Sequence, residues 1–431
     1  MDNAYAQEPG VTAAQVVASP ASASYRRVAI VTETFPPEVN GVANTLHHLT
    51  QRLSRDCQVQ VVHPRQKGQL PKDQERLEHL LVTGCPIPGY NELRFGFPCL
   101  KTLLKSWRDK RPDAIYVATQ GPLGWSAVKA ARILGIPLTS GFHTNFHQYS
   151  KHYKLGWLSQ LIGRYLAYFH QMTRHTLVPT EQTADALQSM GIKNTRVWSR
   201  GVDADLFNPA KRCTALRQQW GADATTPVFI YVGRLANEKN VYLALSAFER
   251  AKQQARHTRM VLVGGGPLTE KIKRKHPDVI LAGVQKGDAL AKHYASADIF
   301  LFPSLTDTFG NVVLEAMASG LGIVSFNEAA AKEHLIHDES ALLALPGDSN
   351  QFCQHALSLA MRPSLLEKLR LNARQRAKVL DWQKLSQQFL NIIIDQNASS
   401  PTPQSTSQTH QEYQEVPNEN AKRLRAVSPG R

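Results

Sequence analysis

The chain of 431 residues carries 50 Lys and Arg against 35 Asp and Glu, a formal net charge of +15, and is 42 % hydrophobic. Its length and apolar content suit two or three domains, and no apolar run nears the roughly 20 residues a membrane-spanning helix needs. The charge is one-sided: residues 25–200 hold 23 basic and 11 acidic side chains, residues 201–396 hold 23 and 19.

Residues 1–24 lack a basic start followed by an apolar core, so they are not a secretory signal. Rich in Ala, Ser, Val and Gln, they are expected to be disordered, as is the Ser/Thr/Gln/Pro-rich segment 397–431. The five cysteines, Cys57, Cys85, Cys99, Cys213 and Cys353, are odd in number and form no C-x-x-C pair. They predict reduced, mostly buried thiols in a cytoplasmic protein, with no zinc site.

From Arg27 the chain alternates short β-branched runs with helical patterns. Strands are predicted at Arg27–Glu33, Gln58–His63, Ala114–Ala118, Pro137–Phe142, His175–Val178 and Thr195–Ser199. Helical patterns such as Val42–Leu53 and Leu123–Leu134 lie between them. Such alternation implies a parallel α/β sheet. The first strand runs into a Pro36-Pro37 loop, which is extended, and then into Asn40-Gly41 before a helix. That pair is an ordinary turn, or a place where backbone approaches a phosphate at a helix N-terminus.

Between Asp113 and Glu181 there is no acid, but there are six Lys or Arg and five His. A basic half of this kind fits an anionic partner: lipid headgroups, a polyanionic acceptor or nucleic acid. His143, after a strand, is either a ligand-facing group able to donate to a reacting centre or a structural histidine. His143 and His147 stand four apart, a metal-like spacing, yet no acid flanks them and no third ligand is evident. Gly156–Met172 is the most amphipathic helix, with Trp157, Leu158, Leu161, Ile162, Tyr165, Leu166, Phe169 and Met172 on one broad face. Its composition is that of an interfacial membrane helix; the other reading is a packing helix of the first domain, and the two are compatible if only Trp157 and its neighbours reach lipid.

The second half repeats the scheme, with strands predicted at Val228–Val232, Met260–Val263, Val279–Ala282, Ile299–Phe302, Gly322–Ser325 and Ala341–Ala344. Gly201-Val-Asp-Ala-Asp205 reads as an interdomain turn rather than a metal site. The boundaries are then 25–200 for the first domain and 201–380 for the second. A last helix, 381–396, is long enough to cross back onto the first domain. Ligands are expected in the cleft between two such halves.

After Val232, Arg234 and Lys239 can point to one site, a fixed guanidinium beside a mobile ammonium, as a diphosphate requires. Gly264-Gly-Gly-Pro267 marks a close backbone approach but lacks the Lys-Ser/Thr of a P-loop. Beyond Phe302 a helix is expected to begin near Phe309-Gly310, capped by Asp307 or Thr308. At a rise of ~1.5 Å per residue, the carboxylates of Asp307 and Glu315 could grip points roughly 12 Å apart. The bland alternative is a cap and a solvated acid.

Four stretches stand in order: Pro36-Pro37-x-x-Asn40-Gly41, Phe142-His-Thr, Gly233-Arg-x5-Lys239-Asn and Asp307-x7-Glu315. Together they resemble the retaining glycosyltransferases of family 4, over about residues 26–395. Among these the chain is most similar to bacterial enzymes that move mannose, glucose or sulfoquinovose onto lipid acceptors. The resemblance implies a GT-B fold: two Rossmann-like doubly wound domains across a cleft, with the C-terminal helix crossing back. It implies a GDP- or UDP-hexose donor as substrate, no cofactor, no metal, and a lipid or lipid-linked acceptor at an anionic cytoplasmic membrane face.

By the same resemblance Arg234 and Lys239 bind the donor diphosphate and Glu315 the ribose. Asp307, with the N–H groups of Phe309, Gly310 and Asn311, holds the sugar. Gly41 admits the phosphates, and His143 lies over the sugar. The leaving phosphate takes the acceptor proton in a front-face substitution, so no second carboxylate is needed, unlike in retaining glycosidases. Asp307 stands where Glu is usual, Asn40 where many relatives have Gly, and Gly322 where Pro is common. A soluble transferase or phosphorylase of the same fold is the alternative reading. Nucleic-acid binding finds no motif beyond the net charge.

Overall fold

The computed structural model describes residues 26–38, 40–66, 73–87, 90–143, 156–255 and 257–394. His147 and both expected disordered ends lie outside these residues, as do the side chains of Trp157 and Leu158. Two parallel sheets organise the chain. The first contains β1 (Arg27–Val31), β2 (Gln58–Pro64), β3 (Leu77–Val82), β6 (Ala114–Val117), β7 (Leu138–Gly141), β8 (His175–Val178) and β9 (Thr195–Val197), in the order 3-2-1-6-7-8-9. The second contains β10 (Val228–Val232), β11 (Arg259–Val263), β12 (Ile280–Gly283), β13 (Ile299–Phe302), β14 (Gly322–Phe326) and β15 (Leu342–Ala344), in the order 12-11-10-13-14-15. In both, the strand order reverses beside the first strand, the place where α/β sheets open a crevice at their carboxyl ends. These are two Rossmann-like domains of a GT-B fold.

The reason lies in the residues. β1, β6 and β10 are continuous apolar runs buried on both faces, as strands covered by helices on either side must be. Every predicted strand is present. Three more were not anticipated: β3, and the antiparallel hairpin of β4 (Gly84–Ile87) and β5 (Tyr90–Gly96). β3 reads Leu-Glu-His-Leu-Leu-Val, a leucine-rich edge without β-branched alternation, and β4 contains Pro86 at its second-last position.

The cysteines are all free, but only Cys57 and Cys353 are buried; the other three are half-buried. The expectation of mostly buried thiols is corrected to that extent. Asp203 closes the turn foreseen at Gly201–Asp205, its carboxylate accepting from the Leu206 N–H at 2.9 Å.

The helix Trp382–Ile394 lies on the first sheet although it follows the second. Trp382, Leu385, Phe389, Leu390 and Ile393 share one core with Val28, Ile30, Leu46 and Leu49. Trp382 stacks on His48 at 5.5 Å. Phe389 is fully buried and meets Tyr116 edge-on at 5.0 Å and Trp198 at 5.1 Å. Replacing Phe389 by Ala should cost about 3–5 kcal/mol, the range for deleting a buried aromatic. Chemical unfolding monitored in the near-UV checks this; a loss under about 1 kcal/mol would show that the helix is not part of that core.

Candidate active site

The site is built from loops that leave the carboxyl ends of the strands. After β10 the chain makes a short 3-10 turn, Asn237–Lys239, and Asn240 adopts left-handed backbone (φ 54). The loop after β13 docks on this turn at three points. Asn240 Nδ2 donates to the Pro303 carbonyl at 3.3 Å, Thr306 Oγ1 to the Glu238 carbonyl at 2.8 Å, and Lys239 Nζ to Asp307 Oδ1 at 2.7 Å. Both charged side chains of the last pair are about three-quarters buried. The other carboxylate oxygen, Asp307 Oδ2, is buried without a hydrogen-bond partner. A buried acceptor left unmade is costly, and this oxygen retains the capacity to accept from a hydroxyl donor.

Asp307 therefore does not cap the following helix, and neither does Thr308. The helix is Asn311–Ala318. Its N-cap is Gly310 in left-handed backbone (φ 87), with no side-chain hydrogen bond to the cap. Only glycine adopts that conformation without strain, so the turn at Gly310 frees Asp307 to face Lys239. Phe309 is a core side chain whose ring meets His334 edge-on.

Glu315, one turn into the helix, accepts from the Tyr294 hydroxyl at 3.0 Å. Burial raises its pKa to about 7, opposed by that hydrogen bond. Arg234 is more exposed and pairs with Glu238 at 3.1 Å. Its loop is held by close backbone packing: Gly264 and Gly266 lie so near the carbonyls of Gly233 and Leu235 that a Cβ would fall 2.0 and 2.5 Å from them. Gly264 and Gly266 thus serve the close backbone approach expected of that stretch, whereas a Cβ on Gly265 would meet only the Val284 side chain at 3.4 Å.

Across the junction, Asn40 caps the helix Gly41–Asp56 by accepting from the N–H groups of Val42 and Ala43. A Cβ on Gly41 would lie 3.6 Å from Arg200 Nη1, an ordinary contact, so protein packing alone does not demand glycine there. His143 shares Nε2 with the Tyr116 hydroxyl at 2.7 Å and Nδ1 with Arg200 Nη2 at 3.5 Å. A guanidinium only donates, so Nδ1 accepts and Nε2 carries the proton. Burial, then Arg200 and His170, depress the His143 pKa to about 3. The imidazole is neutral and engaged on both nitrogens. Among the described residues no group of three His, Cys, Asp or Glu is arranged to hold a metal.

Arg200 brings Gly41, His143 and Asn311 together, the last through Asn311 Oδ1 at 3.4 Å. It was not among the residues singled out in the sequence. The only signal was its place at the domain boundary, immediately before the turn at Gly201. Glu33, at the end of β1, was also missed. Its buried carboxyl accepts from the Leu123 N–H at 3.2 Å, and burial raises its pKa to about 7.

Comparison with known proteins agrees with this architecture. A family model described as Glycosyltransferase Family 4 matches residues 39–206, and one described as Glycosyl transferases group 1 matches residues 226–362. A GDP-mannose-dependent alpha-mannosyltransferase of Corynebacterium glutamicum is 30 % identical over 376 residues, covering 86 % of this chain and 89 % of the relative. The sulfoquinovosyl transferase SQD2 of Arabidopsis thaliana is 25 % identical, covering 85 % and 73 %. Among solved structures, Anabaena HepE in complex with UDP superposes with a TM-score of 0.68 at 18 % identity, covering 85 % of this chain and 99 % of that one. Sucrose-phosphate synthase of Thermosynechococcus elongatus gives 0.69, also at 18 %, covering 85 % and 98 %.

The raised pKa of Glu315 has a consequence for stability. Between about pH 4.5 and 7 the folded state keeps a proton that the unfolded chain has lost. Stability from this group is therefore complete below that window and falls as pH rises through it. Glu315→Gln removes the loss. Relative to wild type the variant should gain about 2–3 kcal/mol between pH 5 and pH 8, because over roughly two pH units of that range only the folded state holds the proton, at ~1.4 kcal/mol per unit. Urea unfolding of both proteins at the two pH values tests the sign; an unchanged difference means the carboxyl ionises freely in the fold.

Proposed function

The chain belongs to glycosyltransferase family 4, and from that membership we propose that it moves a hexose from a GDP- or UDP-sugar to a lipid or lipid-linked acceptor, with retention at the anomeric carbon. Mannose from GDP-mannose is the first donor to test, because the relatives at 30 % identity are named for it. The observation that carries the reading is the Lys239–Asp307 pair with its unmet Asp307 Oδ2, on a loop pinned to the turn that follows Arg234.

Each group has a task in that reaction. Lys239 and Arg234 neutralise the diphosphate as charge develops on the leaving group, which is where preorganised cations contribute most. Lys239 exchanges Asp307 for phosphate oxygen in part, and Asp307 accepts from sugar hydroxyls through both oxygens. Glu315 receives the ribose hydroxyls, and the N–H groups at Phe309, Gly310 and Asn311 face the donor sugar. His143 stays neutral, so it adds no positive charge beside an oxocarbenium-like centre. Gly41 leaves the space in which donor phosphate and acceptor meet. The leaving phosphate takes the acceptor proton, so the residues need supply no general base. The protein cations supply the neutralisation, and neither a metal nor a cofactor is assigned a role.

The lipid acceptor is favoured by the 156–171 helix. Leu166 and Phe169 turn inward, whereas Leu161 and Tyr168 are 58 % and 60 % exposed. Tyr165 and Tyr168 pack with Trp125, the former accepting from its indole N–H at 2.7 Å, and Arg164 is exposed beside them. One face therefore packs and the other presents aromatics and a cation outward, as an interfacial helix does. Among the described residues no helix is long and apolar enough to cross a membrane. From that outward face and the basic first domain we propose a peripheral location at the cytoplasmic face of an anionic membrane.

Lys239→Ala should lower transfer at least 100-fold with the fold intact, in keeping with losing a charged donor to the leaving group. Initial rates with GDP-mannose, UDP-glucose and a lipid extract, alongside circular dichroism, measure it, and rates in EDTA should match those without. Near-normal turnover of Lys239→Ala would refute the donor assignment. The membrane part is separate: flotation with anionic vesicles at low salt should recover the protein, and Tyr168→Glu should weaken that recovery. A protein that ignores such vesicles acts on a soluble acceptor.

A further inference from the structure

Most cations placed at the donor side are already balanced within the protein. Arg234 has Glu238 at 3.1 Å and Lys239 has Asp307 at 2.7 Å. Arg200 differs. It is 4 % exposed, and its nitrogens meet the Gly41 carbonyl at 3.2 Å, Thr45 Oγ1 at 3.0 Å, Asn311 Oδ1 at 3.4 Å and His143 Nδ1 at 3.5 Å. The Phe309 ring lies 5.4 Å from the guanidinium carbon. All of these are neutral. Among the described residues no Asp or Glu forms an ion pair with it.

The contrast with Arg217 is direct. At 3 % exposure it is buried as deeply, and Asp298 pairs with it at 3.0 Å. A buried charge normally has such a partner, because removing it from water is expensive. The surroundings of Arg200 do nothing to supply one. The two helices that meet there, 41–56 and 311–318, both present their N-terminal ends, and neither has an acid in its first turn. Helix N-termini are themselves partly positive. Three sources of positive potential therefore converge between the two sheets, at the point where Gly41 and Asn311 approach each other.

We propose that Arg200 is a third anion-binding cation of the donor site, reaching the terminal phosphate of the nucleoside diphosphate from the first-domain side of the junction, opposite Arg234 and Lys239. The assignment rests on the donor reading given above. It also gives the two domains a reason to close together. The terminal phosphate is the one anion that the Lys239 side and the Arg200 side would share, so departure of the nucleoside diphosphate would leave Arg200 uncompensated again. Arg200 contributes binding and charge stabilisation; it takes no proton and forms no bond.

Calorimetric titration of GDP and UDP against the corresponding monophosphates isolates the terminal phosphate. Wild type should bind the favoured diphosphate at least tenfold more tightly than its monophosphate. In Arg200→Gln that preference should fall by about tenfold or more while monophosphate affinity changes little, the scale of losing one charge-assisted contact. Arg200→Lys, which keeps the charge but not the fork, should retain part of the preference, and it serves as the test should the Gln variant fail to fold. If monophosphate and diphosphate affinities drop together in Arg200→Lys, or neither changes in either variant, Arg200 is only a strut between domains and the proposal is overturned. If wild type binds neither diphosphate, the donor reading itself falls and takes this assignment with it.

Discussion

The ion pair between Lys239 and Asp307 is the charged one of the three contacts that pin the loop after β13. Without it, Asn240 and Thr306 would still tether that loop by two neutral contacts, but no charge would orient the Asp307 carboxylate. Its geometry is asymmetric in a useful way. One oxygen is satisfied, the other is buried and unmet. An ammonium is a compact charge on a flexible stem, so Lys239 can pivot from carboxylate to phosphate with little rearrangement of backbone. On the proposed donor reading, the pair is a resting arrangement that fixes the loop and would yield part of itself to the diphosphate. Its strength in isolation matters less than this exchange, because a partly buried pair offsets its own desolvation only incompletely.

Burial also sets the ionisation of the groups around it, and it does so in one direction: toward neutrality. His143, Glu315 and Glu33 all have pKa values moved so that the charged form is disfavoured near pH 7. The cause in each case is chiefly loss of water. The His143 imidazole is therefore neutral and the Glu315 and Glu33 carboxyls are about half-ionised near pH 7, while Arg200, lowered to about 10 by burial, stays protonated. The resulting potential is positive on balance. That is the polarity a nucleoside diphosphate requires, and it arises from the dielectric of the site as much as from the count of basic residues.

How much of this was legible in the sequence depends on whether the relevant physics is local. Most of the twelve anticipated strands announced themselves as buried runs rich in β-branched and aromatic residues, although β9 and β12 are only partly buried. β3, a leucine-rich edge, and the β4–β5 hairpin with Pro86 do not carry that pattern. The proximity of Lys239 and Asp307 followed from placing both after strands that prove adjacent, β10 and β13. The capping role of Asp307 did not follow, because position before a helix cannot reveal that Gly310 makes the turn instead. Arg200 was invisible for a different reason. Its partners Gly41, Thr45 and Asn311 are more than 100 residues away in both directions, and its lack of an ion pair among the described residues is a property of three dimensions only.

The helix at 382–394 bears on how the two domains can move. It belongs by packing to the first core, yet it is reached through Leu380 and Asp381, which pair with Val202 immediately after Arg200 and Gly201. The two chain crossings between the domains therefore run side by side, joined by a backbone hydrogen bond of 3.0 Å from the Val202 N–H to the Leu380 carbonyl. Two adjacent strands of connection make a hinge with one preferred axis, whereas a single connection would allow swivel in any direction. Trp382 and Leu385 close against Gly201, where a Cβ would fall within about 3 Å of both side chains. Rotation about this axis would carry Arg200 with the first domain, since it is anchored to Gly41 and Thr45 there, and would change its distance to Asn311 in the second. The longest of its oxygen contacts is the one to Asn311. A motion that opens or closes the junction would thus be felt first at that contact, and a charge held by neutral groups on both sides is poised to favour whichever arrangement brings it an anion.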